Sequence, residues 1–155
     1  MISQTAEYAL RAIVYLADND DAAHTADKLS GATQVPAGYL AKILQSLAKS
    51  GLIRSQRGPY GGFTLERPKT ELTVYDVINA IDPIRRIHSC PLELETHTSL
   101  CPLHSLLDGA AAQLEKTFKK VTIASLLSDR KAASHPLCNF PRHAVGQDLA
   151  PVKRT

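Results

Sequence analysis

Residues 36–65 read PAGYLAKILQSLAKSGLIRSQRGPYGGFTL, and this stretch decides the fold. Pro36 presets the first turn of a helix, because its fixed φ suits that position and its missing N–H is not needed there. Leu40, Ile43, Leu44, Leu47 and Ala48 then recur at offsets 0, 3, 4, 7 and 8, the spacing of a single helix face, up to a stop at Gly51. Leu52–Gln56 and Phe63–Leu65 read as short strands around Arg57-Gly58-Pro59-Tyr60-Gly61-Gly62, whose Gly/Pro content predicts a hairpin. A helix followed at once by a basic hairpin is the order of a recognition helix and its wing.

The flanking sequence completes that reading. Upstream, Ala6, Ala9, Leu10, Ile13, Val14 and Ala17 predict a helix over residues 3–18, ended by the polar run at 18–21. Thr25 caps a shorter helix to about Thr33, and Gln34-Val35-Pro36 turns into the recognition helix, giving a helix-turn-helix. Downstream, Thr73 has capping-box spacing and opens a helix with Val74, Val77, Ile78 and Ile81 on one side, stopped at Asp82-Pro83. Residues 88–101 carry no periodicity. From Pro102 a stripe of Leu103, Leu106, Leu107, Ala110, Ala111, Leu114 and Phe118 predicts a long helix, and Thr122 caps a last short one carrying Ile123, Leu126 and Leu127.

The long stripe exceeds what a small winged domain can cover, so its expected use is pairing with the same helix of a second chain. The fold class is therefore mainly α with a small β wing: a winged helix-turn-helix domain at 1–83, a Cys/His loop at 84–101, dimerisation helices at 102–130 and a flexible tail at 131–155.

Composition agrees. The 155 residues are 44% hydrophobic and 21% charged, enough for one compact core with an appendage. No apolar run approaches the ~20 residues of a membrane span, and the N-terminus lacks a signal-peptide layout, so the expected location is the cytoplasm, with no membrane partner. Net charge is only +3. Within 25–70, however, Lys28, Lys42, Lys49, Arg54, Arg57, Arg67 and Lys69 face only Asp27 and Glu66, the footprint of a phosphate-binding surface.

Two constellations carry chemistry. On the recognition helix Tyr39, Lys42, Ser46 and Lys49 fall opposite the apolar stripe with Gln45 beside them, and all can donate to base edges or phosphates in a major groove. Arg54, Gln56 and Arg57 on the wing have the reach for phosphate or an adjacent minor groove. Thr25, Pro36, Gly38, Gly58, Tyr60 and Gly61 at the helix starts and wing tip complete the expected surface for a double-stranded DNA operator.

The second constellation is Cys90, His97, Cys101 and His104, which gathers two of the three cysteines within 15 residues. Pro102 starts the long helix, so Cys101 stands at its N-terminus and His104 one turn on, both able to face one ion. The positive end of a helix suits a metal-binding thiolate. Cys90 can fold back across the loop, and the fourth ligand is either His97 or an oxygen from elsewhere. Sulfur with imidazole suits zinc or an iron-sulfur cluster, and the residues alone leave both open, together with bare redox-active thiols. Cys138 lies in the tail with no assigned role. A small metal-binding redox protein and a protein-interaction module are the rivals from other classes. An enzyme is not expected, since the chain offers no general base, phosphate loop or cofactor fingerprint.

Assembled in order, residues 2–129 resemble the Rrf2 superfamily of winged helix-turn-helix transcriptional regulators (IscR/NsrR-like). Glu7-Tyr8-Ala9-Leu10-Arg11-Ala12, Tyr39-Leu40-Ala41-Lys42-Ile43-Leu44, Arg57-Gly58-Pro59-Tyr60-Gly61-Gly62-Phe63 and Leu100-Cys101-Pro102-Leu103-His104 carry the resemblance. It implies a homodimer with crossed long helices, transcriptional repression, and an iron-sulfur cluster near the dimer interface that answers to nitric oxide, redox state or iron supply. Cys90, Cys101 and His104 match ligand positions of the family, and Glu7 matches a first-helix position that in some members gives an acidic ligand from the opposite chain. The loop has two cysteines where many members have three. His97 in the middle position favours a [2Fe–2S] cluster over [4Fe–4S], with zinc the alternative. Ala41 stands where the cluster regulator has an acidic, site-discriminating residue, so no operator sequence carries over.

Overall fold

The structure, a computed structural model, describes residues 2–90 and 99–132. The expectations for His97, Cys138 and the tail from 133 onward lie outside the described residues. Among the described residues six helices and one hairpin follow in the order α1 (Gln4–Asp18), α2 (Ala26–Thr33), α3 (Ala37–Lys49), β1 (Ile53–Gln56), β2 (Gly62–Leu65), α4 (Val74–Ile81), α5 (Pro102–Lys119) and α6 (Ile123–Ala132).

Four helices, α1, α2, α4 and α6, start where a Ser or Thr side chain accepts from one of their open N–H donors, whereas α3 and α5 begin at Pro36 and Cys101 without a side-chain cap. Ser3 accepts from the Ala6 amide, Thr25 from Lys28 and Thr73 from Asp76, whose carboxylate returns the bond to the Thr73 amide in a full capping box. Thr122 accepts from the Ser125 amide at the head of α6. The end of α3 is equally specific. Gly51 sits at φ +69, its amide donating to the Ala48 carbonyl and the Leu52 amide to Leu47, both at 3.0 Å. This is a Schellman closure with a buried leucine after it. It delivers the chain straight into β1, which pairs antiparallel with β2 from Ile53↔Leu65 to Gln56↔Gly62.

The core forms where α1 packs on α2, α3, α4 and α6. Ala6, Ala9, Ala12 and Ala17 on α1 are almost wholly buried, and their small side chains let neighbouring backbones approach closely around Ile13 and Leu16. Leu40, Ile43, Leu44 and Leu47 face this core from α3. Truncating one, as in Leu44→Ala, removes contacts worth about 2–5 kcal/mol.

Two connections have no local sequence pattern. His24, between α1 and α2, exchanges backbone hydrogen bonds with Phe63 at 3.1 and 2.8 Å, adding a one-residue third edge to the wing. Near the other end, Thr73 bridges Thr122, the Val74 amide donates to Val121, and the Ile123 amide to Leu72. Ile123 and Leu127 thereby enter the main core. The sequence placed α6 beside the long helix; it packs chiefly on α1 instead, so it joins the winged unit despite following the helix proposed for dimerisation.

Candidate nucleic-acid interface and metal centre

Burying the Leu40/Ile43/Leu44/Leu47 stripe turns the opposite face of α3 outward. Tyr39, Lys42, Gln45, Ser46 and Lys49 are all exposed there, as are Gly38 and Pro36 at the helix head. Thr25 and Pro36 serve first as the caps of α2 and α3. On the hairpin Arg54, Gln56, Arg57 and Gly58 are exposed, and Tyr60 at the tip is 90% exposed. Arg54 lies 3.6 Å from Glu66, a solvent-facing pair that leaves most of its side chain accessible.

The glycines of the tip are explained by the hairpin itself. Gly61 donates to the Gly58 carbonyl at 2.9 Å, and a Cβ on it would stand 2.5 Å from the Gln56 carbonyl oxygen. Gly62, at φ +151, presses against the His24 backbone, which a Cβ would meet at 2.6 Å. The wing is thus fixed on the α1–α2 loop.

Sequence reasoning missed the residues that brace the head of α3. Tyr8 of α1 meets Tyr39 edge to face, ring centroids 6.5 Å apart, and Arg11 lies over the Tyr8 ring at 5.6 Å. Arg11 also pairs with Glu7 at 2.6 Å and donates to the Thr33 carbonyl at 3.3 Å, tying α1 to the end of α2. The four-residue Glu7–Arg11 spacing was readable as a helix pair; the Tyr8–Tyr39 contact, 31 positions apart, left no local signal. Within one chain, then, Glu7 is engaged by Arg11.

The thiols converge at the head of α5. Cys101 caps α5 with extended backbone, Pro102 takes the first helical position, and the Ser105 amide donates to the Cys101 carbonyl at 2.9 Å. Helical geometry then places His104 one turn on, with its Nδ1 3.2 Å from the Cys101 sulfur. Cys90, 94% buried, brings its sulfur to 3.8 Å from the same nitrogen. Tetrahedral ligation with bonds of about 2.3 Å to sulfur and 2.0 Å to nitrogen separates those atoms by roughly 3.5 Å, a value the two contacts bracket. The donor set fits a thiophilic metal. No three Cys, His, Asp or Glu side chains among the described residues close into a finished cage, so the triad is a partial site.

Cys90 ends a strap, residues 83–90, that lies along α5. Arg86 donates twice to Asp108 at 2.7 Å each, the Ile87 amide donates to the same carboxylate at 2.9 Å, and Arg86 also lies 3.5 Å from Glu115. The guanidinium, then the Ile87 amide, hold the Asp108 carboxyl far below the usual carboxylate range. On its outer side α5 presents Leu103, Leu106, Leu107 and Leu114, each between 43% and 71% exposed.

The family model described as an iron-dependent transcriptional regulator, Rrf2, matches residues 2–129. The chain belongs to the Rrf2 family. A protein of Aquifex aeolicus (strain VF5) that carries an HTH-type transcriptional regulator assignment is 30% identical over 132 residues, covering 83% of this chain and 92% of its own. Among solved structures, T. potens IscR superposes with a TM-score of 0.72 at 22% identity, covering 89% of this chain and 93% of its own. CymR, the global cysteine regulator of B. subtilis, gives 0.67 at 21% identity, covering 83% and 97%. The winged-helix fold read from the sequence is that of these Rrf2 regulators. This Rrf2 protein is accordingly a transcriptional regulator, and its relatives are regulators rather than enzymes. Among the described residues no helix is long and apolar enough to cross a membrane.

Proposed function

We propose that this Rrf2 protein is a cytoplasmic homodimeric repressor whose grip on its operator depends on an iron-sulfur cluster held by Cys90, Cys101 and His104. The observation that carries the reading is the convergence of both sulfurs on one imidazole nitrogen at the head of α5. His97 and a partner chain's Glu7 are the candidates for the remaining ligand, and a mixed Cys/His/carboxylate set favours a two-iron over a four-iron cluster. A bound cluster would supply redox chemistry and reactivity toward nitric oxide. Zinc is the second reading, favoured by sulfur–nitrogen spacings that bracket tetrahedral ligation.

The exposed leucines of α5 support a dimer, because a row of large apolar side chains on one helix face is costly in water and self-complementary across a two-fold axis. Two copies then present two α3 helices and two wings to one duplex. Lys42, Lys49, Arg54 and Arg57 from each copy are the phosphate contacts, and Tyr39, Gln45 and Ser46 the base-reading ones.

Duplex selected from a random pool on the purified protein tests the DNA arm. If half the eight cations of a dimer meet phosphates, log K falls with log salt at a slope of about −4. Arg57→Ala weakens binding to every sequence and makes the slope shallower, whereas Tyr39→Ala also alters preference. A flat salt response would mean that the outward face serves some ligand other than DNA.

A further inference from the structure

We infer that Arg86 and Asp108 form a positioning clamp for the thiol-histidine site, setting the register of the strap on α5 so that Cys90 reaches His104. The inference rests on the ligand assignment above. It comes from two contacts between the strap and α5: Arg86 and the Ile87 amide on Asp108, and, further along the strap, Cys90 on His104, one turn nearer the head of α5. The two segments run in opposite directions, so anchoring Arg86 and Ile87 on Asp108 leaves only a short stretch of strap between that anchor and the contact of Cys90 with His104.

Three features suit the clamp to that task. The Asp108 carboxylate takes both guanidinium N–H groups and the Ile87 amide, so it fixes backbone as well as side chain. A planar fork against a carboxylate has one favoured geometry, which resists sliding along the helix better than a point charge would. Glu115, nearly two turns further along α5, holds the guanidinium from behind and is itself paired with Lys119. Cys101 and His104 need no such help, because a single helical turn sets their spacing. Cys90 comes from a segment without regular secondary structure and depends on the clamp for its place.

The dependence predicts an asymmetry between the two thiols. In metal-free protein, Asp108→Ala should speed iodoacetamide alkylation of Cys90 by about tenfold or more through local opening, with the rate at Cys101 nearly unchanged. Cobalt(II), whose thiolate absorption reports ligation by sulfur, should bind about tenfold more weakly to the variant, because affinity falls in proportion to the fraction of molecules whose strap holds Cys90 in place. Arg86→Ala should reproduce the cobalt defect, and Arg86→Lys should restore it only in part. Helical circular dichroism and the melting temperature report whether the fold is intact.

Unchanged protection of Cys90 and unchanged cobalt affinity in Asp108→Ala would overturn the inference. So would equal exposure of both cysteines together with a lowered melt, which would make the pair a support of the fold at large. If wild-type protein shows no cobalt–thiolate band, the ligand assignment fails, while the alkylation asymmetry still decides whether the clamp places Cys90.

Discussion

Replacing Gly62 with alanine tests how the wing is built. Gly62 lies at φ +151, a conformation that L side chains rarely adopt, and its added Cβ would stand 2.6 Å from both the carbonyl carbon and the oxygen of His24. The backbone conformation alone costs about 1–2 kcal/mol. Steric overlap with main chain, which cannot rotate away as a side chain can, adds about 1–3 kcal/mol. Relief by separation breaks the two His24–Phe63 hydrogen bonds, each worth about 0.5–1.5 kcal/mol. The expected loss is about 2–5 kcal/mol, a large share of the ~5–15 kcal/mol that stabilises a typical domain. Two other glycines calibrate the scale. Gly58, at φ +114 with open space around it, should lose only the conformational ~1–2 kcal/mol as alanine. Gly31, inside α2 with nothing near its missing Cβ, should gain about 0.5–1 kcal/mol. Urea titration followed by circular dichroism gives all three. A Gly62→Ala protein as stable as Gly58→Ala would refute the claim that the wing is seated on the α1–α2 loop.

Other consequences follow from the same contacts. Thr73→Ala removes the capping box of α4 and should cost about 0.5–2 kcal/mol in the same titration. Leu106→Glu alters a side chain 71% exposed in the single chain, so the helical signal should persist while sedimentation shows monomer; a surviving dimer would move the interface off the α5 stripe. Burial, and after it Asp21, raises the Tyr15 phenol above its ordinary 10.0. Its neutral form is thus favoured in the folded state: its contribution is full below pH 10 and is lost as pH rises through the folded-state value. Stability should fall on the alkaline side, and Tyr15→Phe should flatten that decline in a series of melts.

The elements were legible because local rules set them. Offsets of three and four marked the buried faces of α1, α3 and α4, and Thr25, Thr73 and Thr122 cap the helices that their spacing proposed. The pairing of Cys101 with His104 was legible for the same reason, being a one-turn spacing on a helix that Pro102 opens. What stayed hidden is contact between distant segments. His24 meets Phe63, Tyr8 meets Tyr39, and Arg86 meets Asp108 with nothing in either local stretch to announce the partner. The Gly/Pro content of the wing tip announced a hairpin but not the reason for each glycine; Gly61 and Gly62 are required by carbonyl and backbone atoms that leave no room for a Cβ. The return of α6 to the α1 core was unreadable because its short apolar pattern fits several neighbours equally well.

The most direct test of the central claim is visible absorption with iron, sulfide and zinc analysis on protein purified without oxygen, wild type beside Cys101→Ala. The account predicts coloured wild-type protein with iron and sulfide in matching amounts, and a colourless variant. Colourless wild-type protein, with or without zinc, would contradict the cluster and leave a regulator that works through a structural ion or its thiols.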